Sequence, residues 1–304
     1  MASFLTDSES NMNLGTHTQF QVPGSSKQDR GKSWILDNNR IYAVADGHGV
    51  YGHIYAETAI NILDNMIPNI NWSKDDLNDD IASMYDSIEQ SCIDTISDKR
   101  GGTTLSFCVI REGRDIWTSN VGDSDIVRFN KETKKHTLLT ADHSPINIDE
   151  YKRINAEFPN TLFKYDKVNK SVVYRHHDIF SKVDGEIVKN PIPKSNVYYK
   201  NVMCEFATTI GDGSDYLAVT RSIGDFHQKS KYGVTHKPSI NKYSSLQEDE
   251  FLVCASDGLW DCWKFDEIVD TFKDRPDNWE DLHKSKATSL FGSSIDDTFC
   301  FFIN

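Results

Sequence analysis

Several aspartates in this 304-residue chain stand at the ends of apolar runs, where a carboxylate can do metal chemistry. Asp46 and Asp257 each follow an apolar run and precede a glycine. Asp296 and Asp297 come directly before the last apolar run. A carboxylate at a strand end is held by the sheet yet faces open space, which suits a hard divalent cation. Because Asp-Gly after a strand is also a common turn, spacing alone supports a metal site and a set of turns about equally.

The segments around these aspartates resemble the sequence blocks of the type 2C, metal-dependent protein serine/threonine phosphatases. Seven such blocks occur in the family's order over about residues 27–303. The blocks are VADGHG at 44–49, GTT at 102–104, NVGDS at 120–124, LTADHSP at 139–145, LAVTRSIGD at 217–225, ASDGLWD at 255–261 and DDT at 296–298. Any one block is a weak signal. Together and in order, they identify the chain as a member of that family.

The resemblance implies a fold, a cofactor and a set of ligands. The implied fold is α+β, a four-layer α-β-β-α sandwich in which two antiparallel sheets are flanked by helix pairs. The implied cofactor is a pair of Mg²⁺ or Mn²⁺ ions, with a weaker third ion as an option. Carried over residue by residue, the family pattern implies that Asp46 bridges both ions and that the Gly47 carbonyl binds one of them. It also implies that Asp257 and Asp296 hold the other ion and that Asp29 contacts metal-bound water.

Three further residues receive roles from the same resemblance. Asp123 and Asp261 stand where the family has its third metal site, although a turn or cap role suits them equally. Two cations about 4 Å apart can share a hydroxide and aim it at a phosphoester, so no protein nucleophile is required. The departing alkoxide needs a proton, which makes His48 the candidate general acid. The alternative is a turn histidine that only hydrogen-bonds the backbone.

The chain departs from the family pattern close to the expected site. Gln28 stands where the family usually has an acidic residue, and its neutral side chain could lower metal affinity. The arginine that grips the substrate phosphate in many members is missing from residues 23–26, and Lys27 or Arg30 could replace it. Asp297 replaces the usual asparagine. Phosphate binding is therefore the part of the site that the sequence specifies least.

These residues predict a phosphatase that hydrolyses phosphoserine and phosphothreonine with metal-activated water. Two other functions remain open. Gln28 and the missing arginine motivate a catalytically weak member that acts as a binding or scaffold module. A hydrolase of small phosphoesters would share the same metal site. Because the implied ligands Asp46, Asp257 and Asp296 are all present, the sequence favours an active enzyme.

The composition sets limits on partners and compartment. The chain is 38% hydrophobic and 26% charged, with a net charge of −13, which disfavours nucleic acid and anionic membranes as partners. Six cysteines without a C-x-x-C pair favour reduced thiols and a cytoplasmic or nuclear setting. No signal sequence is recognisable, and no apolar run reaches the roughly 18 residues of a membrane span. We expect a phosphorylated protein substrate, no membrane partner and a monomer.

The elements that must position these residues follow from hydrophobic periodicity. Two amphipathic helices are predicted around 56–67 and 77–96, the second behind a capping box of Ser73 and Asp76, and a helix-like piece is predicted around 150–154. Alternation and short apolar runs predict strands. The predicted strands lie at 33–36, 40–45, 104–110, 115–119, 126–129, 136–139, 216–223, 251–255 and 298–303. Consecutive short strands separated by turns predict antiparallel pairing.

The chain is predicted to divide into a short polar segment and one domain. Residues 1–22 form the polar segment, with a possible edge strand at its end, and residues 23–304 form the domain. An enlarged flap is expected at about 155–215, largely irregular. Between residues 164 and 200, eight basic and four acidic side chains give a net charge of +4. This segment could attract an acidic phosphoprotein, although a solvated loop with scattered lysines is an equal alternative.

Overall fold

The computed structural model describes residues 17–24, 26–169, 172–191, 206–272, 278–292 and 295–304. Strands in these ranges are β1 His17–Val22, β2 Arg30–Leu36, β3 Asn39–Ala45, β4 Gly47–His48, β5 Gly102–Thr103, β6 Leu105–Arg111, β7 Asp115–Val121, β8 Asp125–Asn130, β9 His136–Leu138, β10 Leu162–Asn169, β11 Val172–Asp178, β12 Phe180–Val183, β13 Glu186–Lys189, β14 Phe206–Gly211, β15 Tyr216–Leu217, β16 Ile223–Gly224, β17 Ser239–Ser244, β18 Glu250–Ala255 and β19 Thr298–Ile303. Helices are α1 Gly52–Met66, α2 Asn78–Thr95, α3 Ile148–Glu157, α4 Phe226–Tyr232, α5 Asp257–Trp260, α6 Phe265–Phe272 and α7 Trp279–Phe291, with one short 3₁₀ helix at Ile67–Asn69. Among them, no helix is long and apolar enough to span a bilayer.

The first large sheet has the antiparallel order β17-β7-β6-β3-β2. Strands β6 and β7 are buried along their whole length, so both faces of the sheet are covered. On one face, Ala43 and Phe107 pack against Leu63 of α1 and Ile88 of α2. The helices present these side chains because apolar residues recur on one stripe of each helix. This packing anchors β3, the strand that ends at the first site aspartate.

The second large sheet has the antiparallel order β1-β19-β18-β8-β9. Strand β1 lies at its edge and pairs with β19 from His17↔Ile303 to Val22↔Thr298. Helices α5 to α7 pack on one face. The other face meets the first sheet in an apolar cluster that includes Tyr42. The five described cysteines are free and buried, and Cys204 lies outside the described residues.

The prediction that residues 155–215 are largely irregular is wrong. Strands β11-β10-β14-β15 form a small antiparallel sheet, and β12 and β13 form a separate hairpin. Phe163 and Tyr165 of β10 are buried with Ile154 of α3 and Ile210 of β14 in a core of their own. The sequence pattern failed because charged residues interrupt the apolar alternation in these strands.

The charge predicted for this segment is only partly visible in the described residues. Lys164 Nζ lies 2.6 Å from Asp178 Oδ1, so one of the eight basic side chains is paired within the segment. Lys170, Lys194 and Lys200 lie outside the described residues. The charge-based hypothesis for the flap therefore stays a prediction.

Two local predictions are also corrected. Residues 216–223 are not one strand, because Thr220 donates both its N–H (2.7 Å) and its hydroxyl (2.8 Å) to the His143 carbonyl instead of to a neighbouring strand. The predicted capping box is absent: α2 begins at Asn78, whose N–H donates to Asp76 Oδ1 over 2.8 Å. Ser73 turns away to bond Asn71. Strand β17 and helix α4 were not predicted.

Candidate metal centre

Four of the predicted carboxylates, Asp46, Asp123, Asp257 and Asp296, meet at one cavity of about 910 Å³. Asp46 follows β3, Asp257 begins α5 with one residue between it and β18, and Asp296 precedes β19. Each side chain is thus carried by the end of a strand that is held in the sheets. The cavity wall includes Asp46, Gly47, His48, Asp123, Asp257 and Asp296. The spacing of aspartates in the sequence is therefore a spatial cluster in the fold.

The backbone around Asp46 is held by the Gly102-Thr103-Thr104 block. The Asp46 carbonyl accepts bonds from Thr104 N–H (2.8 Å) and from the Thr103 hydroxyl (2.9 Å). The Asp46 N–H donates to the Thr104 hydroxyl (3.1 Å). These three bonds leave the Asp46 carboxylate as the group that projects into the cavity.

Glycine is required beside the second aspartate for a steric reason. A Cβ on Gly258 would lie 2.0 Å from the Asp297 carbonyl oxygen. Only a residue without a side chain lets the start of α5 approach the segment before β19 so closely. The Asp-Gly pair therefore brings Asp257 to the same place as Asp296.

Burial and mutual repulsion raise the pKa of four carboxyls in this cluster. Asp29 is 1% exposed, and burial together with the charges of Asp297 and Asp296 raises its pKa to about 7. Burial, then neighbouring carboxylates, raises the pKa of Asp46 and of Asp257 well above the usual range. The pKa of Asp296 is raised by the same causes. Such a cluster is electrostatically unfavourable at neutral pH unless a cation lies among the carboxylates.

The residues present fit a hard divalent cation. Asp29 Oδ2 and Asp257 Oδ1 are buried and accept no hydrogen bond from the residues that the structure describes. Carboxylate oxygens in this state are the ligands that Mg²⁺ and Mn²⁺ prefer. In the described part of the chain, no three His, Cys, Asp or Glu side chains are already closed around one point. The fit to a divalent cation therefore rests on two facts: the available ligands are carboxylate oxygens, and two of these oxygens have no hydrogen-bond partner among the residues described.

The two residues expected at a third metal position differ in placement. Asp123 lines the cavity, whereas Asp261 does not. Asp261 follows α5, where its N–H donates to the Asp257 carbonyl over 2.7 Å. After burial, the charge of Asp261 is the largest contribution to the raised pKa of Asp257. Asp261 therefore affects the cluster through its charge, which raises the pKa of Asp257, and not by lining the cavity.

We expect the stability of the metal-free protein to fall as the pH rises. Because the folded-state pKa of Asp29 is raised, its contribution is fully present below about pH 4 and is lost as the pH rises through about 7. In a chelator, the melting temperature should fall by several degrees between about pH 5 and pH 8, and saturating Mn²⁺ should abolish the fall. Thermal unfolding with and without Mn²⁺ measures both effects. Asp29→Asn should flatten the slope in chelator, and an unchanged slope would contradict this account.

Asp297 has a role that the sequence did not indicate. Its buried carboxylate accepts bonds from Gly24 N–H (2.5 Å), Gln28 N–H (2.5 Å) and the Ser26 hydroxyl (2.6 Å). These three bonds tie the segment before β2 to the start of β19. Asp29 is held beside Asp296 as a result. A carboxyl group can accept hydrogen bonds at both of its oxygens, which suits a position with three donors where the family has asparagine.

The predicted phosphate-binding residues do not line the cavity. Lys27 is exposed and adopts φ +56°, so the chain turns there. Arg30 Nη1 donates to the Asp29 carbonyl (2.8 Å) and to the Lys27 carbonyl (3.2 Å). Its guanidinium therefore hydrogen-bonds the neighbouring backbone and does not line the cavity. The lysine and arginine that do line the cavity are Lys99 and Arg100. These two residues were missed from the sequence because a phosphate-binding cation was expected just before β2, whereas Lys99 and Arg100 follow α2.

A buried carboxylate partners the candidate acid. His48 Nε2 lies 2.6 Å from Asp225 Oδ2, which also accepts the Ser222 hydroxyl at 2.5 Å. Asp225 is itself buried and adopts φ +46°. Burial acts to lower the pKa of His48, but the charge and hydrogen bond of Asp225 outweigh it and raise that pKa above its ordinary value. The block ending in Gly224-Asp225 was visible in the sequence, but its contact with His48 was not.

Comparison with known proteins identifies the family of the chain. Residues 17–290 match the family model described as Protein phosphatase 2C. Probable protein phosphatase 2C 44 of Oryza sativa subsp. japonica is 25% identical over 97% of this chain and 80% of its own length. Protein phosphatase 2C homolog 3 of Schizosaccharomyces pombe is 26% identical, and Protein phosphatase 1L of Bos taurus is 25% identical. Each alignment covers 78% of this chain, which spans 47% and 56% of those two relatives.

Solved structures show the same fold at lower identity. The serine/threonine phosphatase of S. agalactiae superposes with a TM-score of 0.61 at 17% identity, over 95% of this chain and 98% of that chain. The serine-threonine phosphatase 2C from Toxoplasma gondii superposes with a TM-score of 0.62 at 14% identity, over 95% and 99%. At these identities the likeness concerns the fold, a mixed α/β arrangement with several antiparallel sheets.

Proposed function

The chain belongs to the protein phosphatase 2C family, and from that premise we propose that it is a metal-dependent protein serine/threonine phosphatase that hydrolyses phosphoserine and phosphothreonine. The observation that carries the proposal is the meeting of Asp46, Asp257 and Asp296 with His48 at one cavity of about 910 Å³. Separate strands deliver these side chains, which are far apart in the sequence. Three carboxylates with only structural roles in turns would not be expected to face one another across a single cavity.

Two Mg²⁺ or Mn²⁺ ions are the proposed cofactor. The Asp46 carboxylate and the Gly47 carbonyl would hold one ion. The second ion would be held by Asp257 and Asp296, and it would share Asp46 with the first. Asp29 would act through water, and Asp123 with Asp261 would serve a third, weaker ion. Bound ions of this class lower the pKa of water and neutralise charge on a phosphoester. The protein's part is to fix these oxygens through its sheets before the substrate arrives.

His48 is the proposed general acid for the departing serine or threonine oxygen. Its Nε2 faces Asp225, so Nδ1 is the nitrogen that can donate a proton towards the cavity. Asp225 orients the ring and favours its protonated form near neutral pH. Glu89 supports this arrangement because it accepts the Gly224 N–H over 2.9 Å, next to Asp225. The proton donor is thus held by a chain of buried contacts.

The proposed architecture is a four-layer α-β-β-α sandwich, with residues 23–304 as one catalytic domain, enlarged by a flap at about 155–215. The end of the polar segment 1–22 adds the edge strand β1 to the second sheet. Three apolar clusters support this order of layers. One lies between α1, α2 and the first sheet, one between the two large sheets, and one between the second sheet and α5 to α7. A monomer in the cytoplasm or nucleus remains the prediction from sequence.

A phosphopeptide hydrolysis screen with metal titration tests the proposed function. We expect phosphate release from phosphoserine and phosphothreonine peptides that rises to saturation with Mn²⁺ and stops in excess chelator. Turnover of p-nitrophenyl phosphate without turnover of any peptide would favour a small-phosphoester hydrolase instead. Peptide binding without turnover of either class of substrate would favour a binding module.

A further inference from the structure

One edge of the cavity carries two adjacent cations, Lys99 and Arg100, which we name the Lys99–Arg100 edge. It lies between α2 and β5, directly beside the loop that contains the proposed acid. Gly102 pairs with His48 across β5 and β4. The Arg100 carbonyl accepts the Tyr51 N–H over 3.2 Å. The backbone of this edge is therefore fixed next to His48.

The partners of the Arg100 side chain fix its orientation but leave much of the guanidinium exposed. Its Nε and Nη2 donate to the Asp98 carboxylate over 3.0 and 2.6 Å, and its guanidinium lies 5.6 Å from the centre of the Tyr51 ring. The side chain is 68% exposed. Within the part of the chain that the structure describes, Nη1 donates no hydrogen bond. Asp98 thus fixes the direction of the Arg100 guanidinium, which lines the cavity and stays largely exposed to solvent.

Lys99 keeps a second positive charge on the same edge. Its Nζ donates to the carbonyls of Cys92 (2.9 Å) and Ile93 (2.7 Å), near the C-terminal end of α2. It also lies 5.0 Å from the centre of the Phe226 ring. A lysine at a helix C-terminus is stabilised by the unpaired carbonyls and the helix dipole. The Lys99 ammonium is therefore held in place and adds to the positive potential at the Lys99–Arg100 edge.

The other cavity-lining groups differ in character from this edge. Val50 and Tyr216 line the cavity and are exposed, which provides apolar surface for a polypeptide. The carboxylates Asp46 and Asp257 lie where the phosphoryl group must bind. Because His48 protonates the departing oxygen, the polypeptide of the substrate must leave the site on the His48 side. The Lys99–Arg100 edge lies on that side.

We propose that the Lys99–Arg100 edge is a subsite for an anionic side chain, a carboxylate or a second phosphate, close in sequence to the residue being dephosphorylated. The inference rests on the proposed phosphatase function and gives it a substrate class. Arginine binds both kinds of anion through paired N–H donors. In a chain of net charge −13, a local cationic edge also offsets the repulsion of an acidic substrate. Arg100 is the specificity-determining residue of this subsite.

Kinetics on matched peptides tests the subsite. The substrates are one phosphoserine peptide with neutral neighbours, versions with an adjacent aspartate, second phosphoserine or lysine, and p-nitrophenyl phosphate. Arg100→Gln should raise KM about tenfold for one or both anionic peptides, and leave KM for the neutral peptide and for p-nitrophenyl phosphate within about twofold. Whichever anionic peptide shows the larger increase identifies the preferred anion. Arg100→Glu should reverse the preference and favour the lysine peptide.

Arg114→Gln is the matched control. Arg114 is also a partly exposed arginine paired with an aspartate, Asp75, but it lies outside the cavity. This variant should leave all five substrates unchanged. Binding of fluorescently labelled peptides to the Asp46→Asn protein, with and without Arg100→Gln, gives a second readout that needs no turnover.

Three results bear on the proposal in different ways. If Arg100→Gln raises KM equally for every substrate and weakens inhibition by inorganic phosphate, Arg100 binds the phosphoryl group and the subsite is overturned. Unchanged KM and unchanged peptide binding also overturn it. A wild-type protein that hydrolyses none of the substrates contradicts the proposed function instead, and the binding measurement then decides the subsite by itself.

Discussion

Replacing Asp46, Asp257 or Asp296 by asparagine should lower kcat/KM by at least about a hundredfold. Each substitution removes a negative charge and one strong oxygen donor from the cavity while it preserves the shape of the side chain. Hydrolysis of a phosphopeptide at saturating Mn²⁺ measures the loss, and calorimetric titration with Mn²⁺ measures the expected fall in metal affinity. Near-wild-type turnover in any one variant would refute the role of that ligand.

Stability separates this loss from misfolding. Because the carboxylates raise one another's pKa, an asparagine should relieve repulsion, so each variant should melt at the same temperature as the wild type or higher in chelator. Asp94→Asn is the matched control, since Asp94 is an exposed aspartate of α2 whose Oδ1 accepts from Gln90 over 2.8 Å. It should leave both kcat/KM and metal affinity unchanged.

His48→Gln should slow alkyl phosphoesters far more than aryl phosphates. A serine or threonine alkoxide needs a proton to depart, so loss of the acid should cost about a hundredfold on a phosphopeptide. The phenolate of p-nitrophenyl phosphate leaves unaided and should be affected only a few-fold. The ratio of kcat/KM for the two substrates is the measurement. Equal losses on both would mean that His48 is structural.

Asp225→Asn extends the same test to the partner of His48. The buried carboxylate raises the pKa of His48, so its removal should lower that pKa and move the alkaline decline of peptide hydrolysis to lower pH. As with His48→Gln, kcat/KM should fall more for the phosphopeptide than for p-nitrophenyl phosphate, but both losses should be smaller. A variant that loses peptide and p-nitrophenyl phosphate hydrolysis equally would show that Asp225 supports the fold of the loop rather than the acid.

The sequence by itself determined the elements whose signals are local. Helices α1 and α2 were predicted because their apolar residues recur with helical spacing, and β3, β18 and β19 because they are short, strongly apolar runs. The aspartates at the ends of these strands were found for the same reason. Their convergence was expected only through the resemblance to the family, since nothing in the spacing of Asp46 and Asp257 says that β3 and β18 end together.

The tertiary structure decided the contacts that join distant parts of the chain. His48 meets Asp225 because the small sheet β16-β5-β4 places β4 and β16 on either side of β5. Asp297 receives the donors of residues 24–28 because the segment before β2 lies against the start of β19. Side-chain direction was equally undetermined: Arg30 is near the aspartates in sequence but turns to its own backbone, whereas Arg100 reaches the cavity. Strands β10 to β13 escaped detection because charged residues interrupt their apolar alternation, and the small core around Phe163 and Tyr165 exists only after folding. Local patterns are encoded in neighbouring residues, but the partner of a side chain is set by the packing of the whole sheet.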